Sequence, residues 1–391
     1  MRILILSFYF ETDLSAGSFR MTGLVQALGN NIEPEDQIDI LTTQPNRYAS
    51  YSEDALKEEF RDRVTIKRFD LPAHRSGFVD QSFAFFCYAY KVIKATRSGQ
   101  YDLVFATSSR LCTAALGAIV ASRMRALLYL DIRDIFVDTL KDVLSPIAAI
   151  FILPILRLIE RLTVSKATHV NLVSAGFLEY FSDRYPNTRY SVIPNGIDNV
   201  FLGVDYTNQS VNTKTIVLYA GNIGEGQGLT KIIPNLANTF RLTHEFWIVG
   251  DGGQRLELEN EIKNLSNVKM ILPVSRKDLI DLYRCSDILF LHLNDYPAFH
   301  KVLPSKLFEY AATGKPIVAG VSGHAAAFIQ QIPGAVSFPP CLIEAGIVAI
   351  RDAKLGIIFR QDFIKRFRRT HLMQELATDL IEVAKGRVNS V

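Results

Sequence analysis

One alternation runs through this chain twice, and it constrains the fold more than any other feature. Short β-rich runs take turns with helical stretches: RILILSF, a helical pattern over Ser18 to Leu28, QIDILTT, VTIKRF, DLVFAT, a helix after Ser109, LLYLDI, another helix and HVNLVS. Strands separated by helices build parallel sheets from βαβ units. After SVIPNG at 191–196 the alternation restarts, with IVLYAG, EFWIVG, NVKMIL, ILFLHL and PIVAGV as strands and Leu256 to Leu265 and Arg276 to Arg284 among the helices. The expectation is α/β: two Rossmann-like, doubly wound parallel-sheet domains facing each other across a central cleft. They are placed at 1–196 and 197–359, with Pro194, Asn195 and Gly196 at the hinge, and 391 residues suffice for both. Arg360 to Lys385 is basic, with Phe363, Phe367, Leu372, Leu376 and Leu380 at near-helical spacing. The segment 360–391 is therefore expected to be a C-terminal helix packing back on the first domain.

Charge is nearly balanced, with 43 basic against 40 acidic side chains, which gives no field for nucleic acid; any cationic site has to be local. Cys87, Cys112, Cys285 and Cys341 are far apart and are expected to be reduced core residues. No D-x-D triplet and no histidine pair stands at ligand spacing, so neither metal nor cofactor is expected. MRILILSFYF lacks the blocks of a signal peptide, which points to the cytoplasm. VLSPIAAIFILPILRL at 143–158 is almost uniformly apolar, but Pro146 and Pro154 interrupt it and Arg157, Glu160 and Arg161 follow. A span needs about 20 apolar residues. The favoured reading is a buried helix, with peripheral docking on the cytoplasmic face of the inner membrane left open.

In open parallel sheets ligands bind beyond the carboxyl ends of strands. Three glycine clusters stand at such places: Gly17 in ETDLSAGSFR, Gly221, Gly224, Gly226 and Gly228 in YAGNIGEGQG, and Gly250, Gly252 and Gly253 after EFWIV. Glycine lets backbone N–H groups approach a phosphate or sugar, although any one of these can be a plain turn. The G-x-G-x-x-G spacing of a dinucleotide oxidoreductase is missing, which counts against that class. In KVLPSKLFEYAATGKPIVAG, Pro304 opens a helix and Gly314 follows its end. Lys306 then sits in the first turn, opposing the positive end of the helix dipole at a cost of about 0.3–1 kcal/mol unless it faces an anion.

In order, FYFETDLSAGSFR, SVIPNGIDNVF, YAGNIGEGQGL, FWIVGDGGQRLELE and LPSKLFEYAATGKPIVA resemble the family-4 retaining glycosyltransferases of GT-B fold, over nearly the whole chain. They look most like the bacterial subgroup that builds O-antigen, capsule and exopolysaccharide. The resemblance implies a metal-independent hexosyl- or N-acetylhexosaminyltransferase. It would move a sugar with retention from a nucleoside diphosphate donor, UDP foremost, to a saccharide or polyprenyl-diphosphate-linked acceptor. It assigns Glu309, as the second glutamate of an E-x7-E motif, to the ribose hydroxyls, with a surface pair to Lys306 at i,i+3 as the alternative. Gly17 matches the glycine near the donor phosphate, with Arg20 as added charge, and Pro273, Val274 and Arg276 match the region that holds the base.

Three positions depart from the family pattern. Lys301 replaces the first glutamate, and Asn222 and Gln227 stand where an arginine and a lysine hold the pyrophosphate. Lys306, flanked by Ser305 and Leu307, is the candidate source of that charge, and Gly221, Asn222, Gln227 and Gly250 are left as neutral donors. His300 and Lys301 are candidates to read the donor sugar. On the acceptor side, Asp131 or Asp134 is a candidate base or sugar anchor and Arg133 a candidate for a phosphate or carboxylate; an internal salt bridge is the equal alternative. Asp13 and Thr107 to Ser109 are further acceptor-side candidates. The missing glutamate and cations also fit a retired transferase acting as a binding or scaffold subunit, and a UDP-sugar epimerase would share the fold.

Overall fold

The computed structural model describes residues 1–13, 15–45, 55–72, 78–108, 111–207 and 213–388; Ser109 lies outside them. The chain divides into two units, Met1–Asn195 with the chain from Thr370 onward, and Gly196–Arg369.

The first unit is built on one sheet of β1 (Arg2–Leu6), β2 (Gln37–Thr43), β3 (Glu58–Arg61), β4 (Val64–Phe69), β5 (Leu103–Ser108), β6 (Leu127–Ile132), β7 (His169–Leu172) and β8 (Arg189–Val192). The order is β3-β4-β2-β1-β5-β6-β7-β8, parallel except where β3 meets β4. Between the strands run α1 (Ala16–Asn31), α2 (Phe78–Ala95), α3 (Leu111–Met124), α4 (Phe136–Val143), α5 (Pro146–Val164) and α6 (Leu178–Arg184). Right-handed crossovers put α1 on one face and α2 to α6 on the other. Helices on both faces explain why β1 is a continuous apolar run, with Ile3, Leu4, Ile5 and Leu6 all fully buried.

The second unit is an all-parallel sheet of β9 (Thr215–Ala220), β10 (His244–Val249), β11 (Val268–Ile271), β12 (Ile288–His292), β13 (Ile317–Gly320) and β14 (Ala335–Phe338), ordered β11-β10-β9-β12-β13-β14. Its helices are α7 (Leu229–Thr239), α8 (Arg255–Ile262), α9 (Arg276–Cys285), α10 (Lys306–Ala312), α11 (Gly323–Ile329), α12 (Ile343–Arg351) and α13 (Gln361–Phe367). Strand order reverses between β1 and β5 in the first unit and between β9 and β12 in the second. Those switch points are where such sheets offer a ligand crevice.

Three expectations change. The segment 360–391 is two helices, because Phe363 and Phe367 pack against Phe308 and Phe328 and keep α13 in the second unit. At Arg368 the backbone becomes extended, and Ile197 N–H donates to Phe367 O while Arg369 N–H donates to Ile197 O, both at 2.7 Å. Only α14 (Arg369–Val388) packs in the first unit, where Asp379 accepts from the Tyr129 hydroxyl. Next, α5 is not buried: Leu153 packs with Leu111 and Val137, but its opposite face is open to solvent. Among the described residues no helix is long and apolar enough to cross a membrane. Finally, the four cysteines are free and half-buried rather than core residues.

The strands of chain entering and leaving the second unit are thus bonded to each other, and Asp198 secures both by accepting from Arg369 at 2.5 Å and Arg276 at 2.6 Å. Burial works to raise the Asp198 pKa, but the two guanidinium groups outweigh it and hold the carboxyl below its ordinary 3.8. A depressed pKa contributes stability above the unfolded value and loses it as pH falls through the folded one. Asp198→Asn should therefore lower the urea midpoint at neutral pH, and the gap from wild type should narrow as the pH falls below 3.8 and close below the depressed folded value.

Candidate active site

In the second unit the glycine loops after β9 and β10 are packed on each other. Gly221 N–H donates to Val249 O, Ile223 N–H to Asp251 O and Gln254 N–H to Ile223 O. Gly250 has φ +145°, and a Cβ there would lie 1.8 Å from Gly221 O. Its lack of a side chain is therefore required by the neighbouring loop, whatever else approaches it. Asn222 Nδ2 donates to Gln227 Oε1 at 2.8 Å, as does Gly224 N–H at 3.2 Å. The two amides that replace the cations brace their own turn; Gln227 Nε2 keeps no partner among the described residues.

α10 begins at Lys306, and Gly314 follows it with φ +77°. Lys306 Nζ meets Glu309 Oε2 at 2.7 Å, so a carboxylate in the same turn offsets the lysine's position against the dipole. Glu309 is 5% exposed, and Tyr283 OH also donates to its Oε2, at 3.3 Å. Its Oε1 has no partner among the described residues. Burial, and then the Glu309 charge, push the Tyr283 hydroxyl far up, so it remains a proton donor. The C-terminal half of the short helix is tied down. Ala220 N–H at the end of β9 donates to Tyr310 OH at 2.9 Å, and buried Arg360 donates to Ala311 O, Lys315 O and Pro333 O.

The structure separates the remaining donor-side candidates. Leu307 is fully buried, which leaves only its backbone for a ligand, and Ser305 precedes the helix without a side-chain cap bond. His300 Nε2 lies 3.1 Å from Asp295 Oδ1, and Lys301 ends the 3₁₀ turn Pro297–Lys301. Val274 is half-buried between β11 and α9. The Arg276 guanidinium pairs with Asp198, which leaves open the backbone contacts by which this region would hold a base. Sequence reasoning missed Tyr283, which shares the buried stripe of α9 with Leu279 and Ile280 and looks like one more core residue. It also missed Lys231 in the first turn of α7, whose Nζ donates to Asn294 Oδ1 at 3.0 Å. The glycine-to-helix step at Gly228 was the available signal.

In the first unit two candidates are structural. Arg20 and Asp131 are fully buried and bonded twice, Nε to Oδ2 at 3.0 Å and Nη2 to Oδ1 at 2.9 Å. Arg20 also donates to Ile193 O and Pro194 O, and Asn171 Nδ2 donates to Asp131 Oδ1 at 2.7 Å. Arg20 therefore adds no charge for a phosphate, and Asp131 is neither base nor sugar anchor. Thr107, also buried, points its hydroxyl at the same carboxylate. Asp13 is 4% exposed in the turn before α1.

Arg133 and Asp134 remain. A Cβ on Gly17 would lie 2.1 Å from Arg133 Nη1, so the bare backbone lets the flexible guanidinium lie close against the start of α1. Asp134 is partly open to solvent, yet enough protein surrounds it that burial raises its pKa to about 6, against hydrogen bonds from Thr139 and the Ile135 N–H and the charge of Arg133. It changes protonation close to neutrality, as a group that exchanges protons or hydrogen bonds with an acceptor hydroxyl should. No group of three or more His, Cys, Asp or Glu able to hold a metal occurs among the described residues.

Two parallel-sheet α/β units of this kind define the GT-B glycosyltransferase architecture, and the comparisons agree. Residues 23–196 match the glycosyl transferase 4-like domain and residues 207–370 match glycosyl transferases group 1. The chain belongs to this glycosyltransferase family. It is 34% identical over 152 residues to the colanic acid biosynthesis glycosyl transferase WcaI of Escherichia coli K12; the match spans 37% of this chain and only 36% of that protein. Among solved structures it resembles sucrose-phosphate synthase of Thermosynechococcus elongatus (16% identity, TM-score 0.68, 99% and 97% of the two chains covered). It also resembles Anabaena HepE in complex with UDP-glucose (18%, 0.62, 100% of each chain). Both likenesses are in fold.

The buried pair gives a direct expectation. Asp131→Ala leaves Arg20 charged, buried and short of its acceptor, and should cost about 3–5 kcal/mol of unfolding free energy in urea. A loss under about 1 kcal/mol would mean that water reaches this pair, contrary to its burial.

Proposed function

We propose that this glycosyltransferase moves a sugar, with retention, from a UDP-sugar to a saccharide or polyprenyl-diphosphate-linked acceptor in bacterial surface polysaccharide synthesis. The observation that carries the donor side is the Lys306–Glu309 pair, a buried carboxylate with one oxygen uncommitted beside a cation, on a helix anchored through its C-terminal half. Glu309 Oε1 accepts a ribose hydroxyl while Tyr283 and Lys306 hold Oε2. The other N–H groups of Lys306 meet the diphosphate and supply charge that Asn222 and Gln227 lack. UDP as the nucleotide draws support from the HepE complex.

In the reaction, the bond from the sugar C1 to the phosphate oxygen breaks and the acceptor oxygen bonds C1 on the same face. The acceptor proton passes to the departing phosphate. Stabilising the leaving diphosphate is the protein's main contribution. Asp134, ionised, accepts the hydrogen bond that orients the acceptor hydroxyl, with Arg133 beside it. His300 and Lys301 are assigned to the donor sugar.

UDP at about 100 times its Kd should stabilise the protein by about 2.7 kcal/mol, a readily measured thermal shift. A protein that neither shifts with UDP nor releases UDP from any of a panel of UDP-sugars would contradict the proposal and favour a scaffold role. For Asp134, kcat/KM should rise with pH through about 6 and then level off. Asp134→Asn should lower it about 10- to 100-fold, as the loss of one charge-assisted hydrogen bond requires, and abolish that limb; an unchanged profile would remove Asp134 from the acceptor side.

A further inference from the structure

We infer that the helical face carrying α2, α3 and α5 docks on an anionic lipid bilayer. This deepens the lipid-linked acceptor reading and rests on it for its purpose, while its observations are independent of the donor site. On α5, Ile147, Ile150, Phe151, Ile155, Leu158 and Leu162 are each 54–74% exposed. Counted from Ile147 they fall at i, i+3, i+4, i+8, i+11 and i+15, which places them on one stripe about 22 Å long at 1.5 Å per residue. Packing fixes which way the stripe faces, because Leu153 on the opposite side is buried with Leu111 and Val137. Large apolar side chains are exposed on neighbouring helices as well. Phe83, Phe86 and Tyr90 of α2 are 59–70% exposed and Ile119 of α3 is 49% exposed, on helices that share one side of the sheet. Apolar surface gathered this way marks an interaction site.

Charge selects the occupant. Arg157 and Arg161 are exposed beside the stripe, and Lys166 lies just past the helix end. The acid of α5, Glu160, is 3% exposed and takes hydrogen bonds from the Tyr180 and Tyr185 hydroxyls. The helix edge therefore presents positive charge alone. Large apolar side chains bordered by arginines suit a helix lying in the interface of an anionic bilayer, with acyl chains below and phosphate headgroups level with the guanidinium groups. A second copy of the chain would bring the same cations to face each other.

The test is co-sedimentation of the full chain with vesicles of phosphatidylglycerol and phosphatidylcholine, against phosphatidylcholine alone, with no nucleotide present. Wild type should partition at least about tenfold more strongly onto the anionic vesicles. Ile150→Glu with Phe151→Glu should abolish binding, and Arg157→Glu with Arg161→Glu should erase the preference for anionic lipid. Both double variants alter exposed side chains, so their thermal unfolding and their response to UDP should match wild type. Failure of the UDP response alone would count against the donor reading and leave this inference standing. Absence of vesicle binding, binding that survives both double variants, or a wild-type dimer that these substitutions dissociate would overturn it.

Discussion

The first unit depends on a buried ion pair. Arg20 and Asp131 lie 111 residues apart, and with Asn171 and the carbonyls of Ile193 and Pro194 they join α1, β6, β7 and the chain that leaves β8. Every donor and acceptor in that group meets another, which is the condition under which a charge can be kept from water. By occupying Arg20 and Asp131 structurally, the fold leaves Arg133 and Asp134 as the ionisable pair at the same strand end. Gly17 then reads as the gap through which Arg133 passes.

The second unit solves a different electrostatic problem. A lysine at the start of a short helix is tolerable because Glu309, one turn on, neutralises it. The same pairing, with the Tyr283 hydroxyl, gives hydrogen-bond partners to a carboxylate that is only 5% exposed. Tyr310 and Arg360 hold the C-terminal half of the helix and Tyr283 and Lys306 hold Glu309 Oε2, so a ligand that engages Glu309 Oε1 meets a fixed group. In the loops nearby, Gly250 and Gly252 are bare because the backbone of the loop after β9 lies against them.

Much of the fold was legible because parallel strands covered on both faces must be apolar throughout; ILFLHL and PIVAGV contain β12 and β13, each buried along its length. The edge strand β3, EEFR, carries no such pattern and pairs antiparallel, and nothing in its composition announced it. The break at Arg368 depends on pairing with Ile197, some 170 residues away, and so escapes local periodicity. For α5, apolar residues all around the helix could not say which face would be covered. Within the site, the Lys306–Glu309 pair was readable from its i,i+3 spacing, whereas Tyr283 was not, since its hydroxyl matters only through the tertiary contact. The Arg20–Asp131 pair was likewise invisible as a long-range contact between residues that each looked functional.

The central claim is that Lys306 supplies the charge for the diphosphate while Glu309 holds the ribose. Titration calorimetry of UDP and of uridine against wild type and Lys306→Ala tests it most directly. The account predicts that Lys306→Ala weakens UDP by about 10- to 100-fold and leaves uridine nearly unchanged, as the loss of one charge-assisted contact requires. Equal UDP affinity in the two proteins, or a matching loss for uridine, would contradict it.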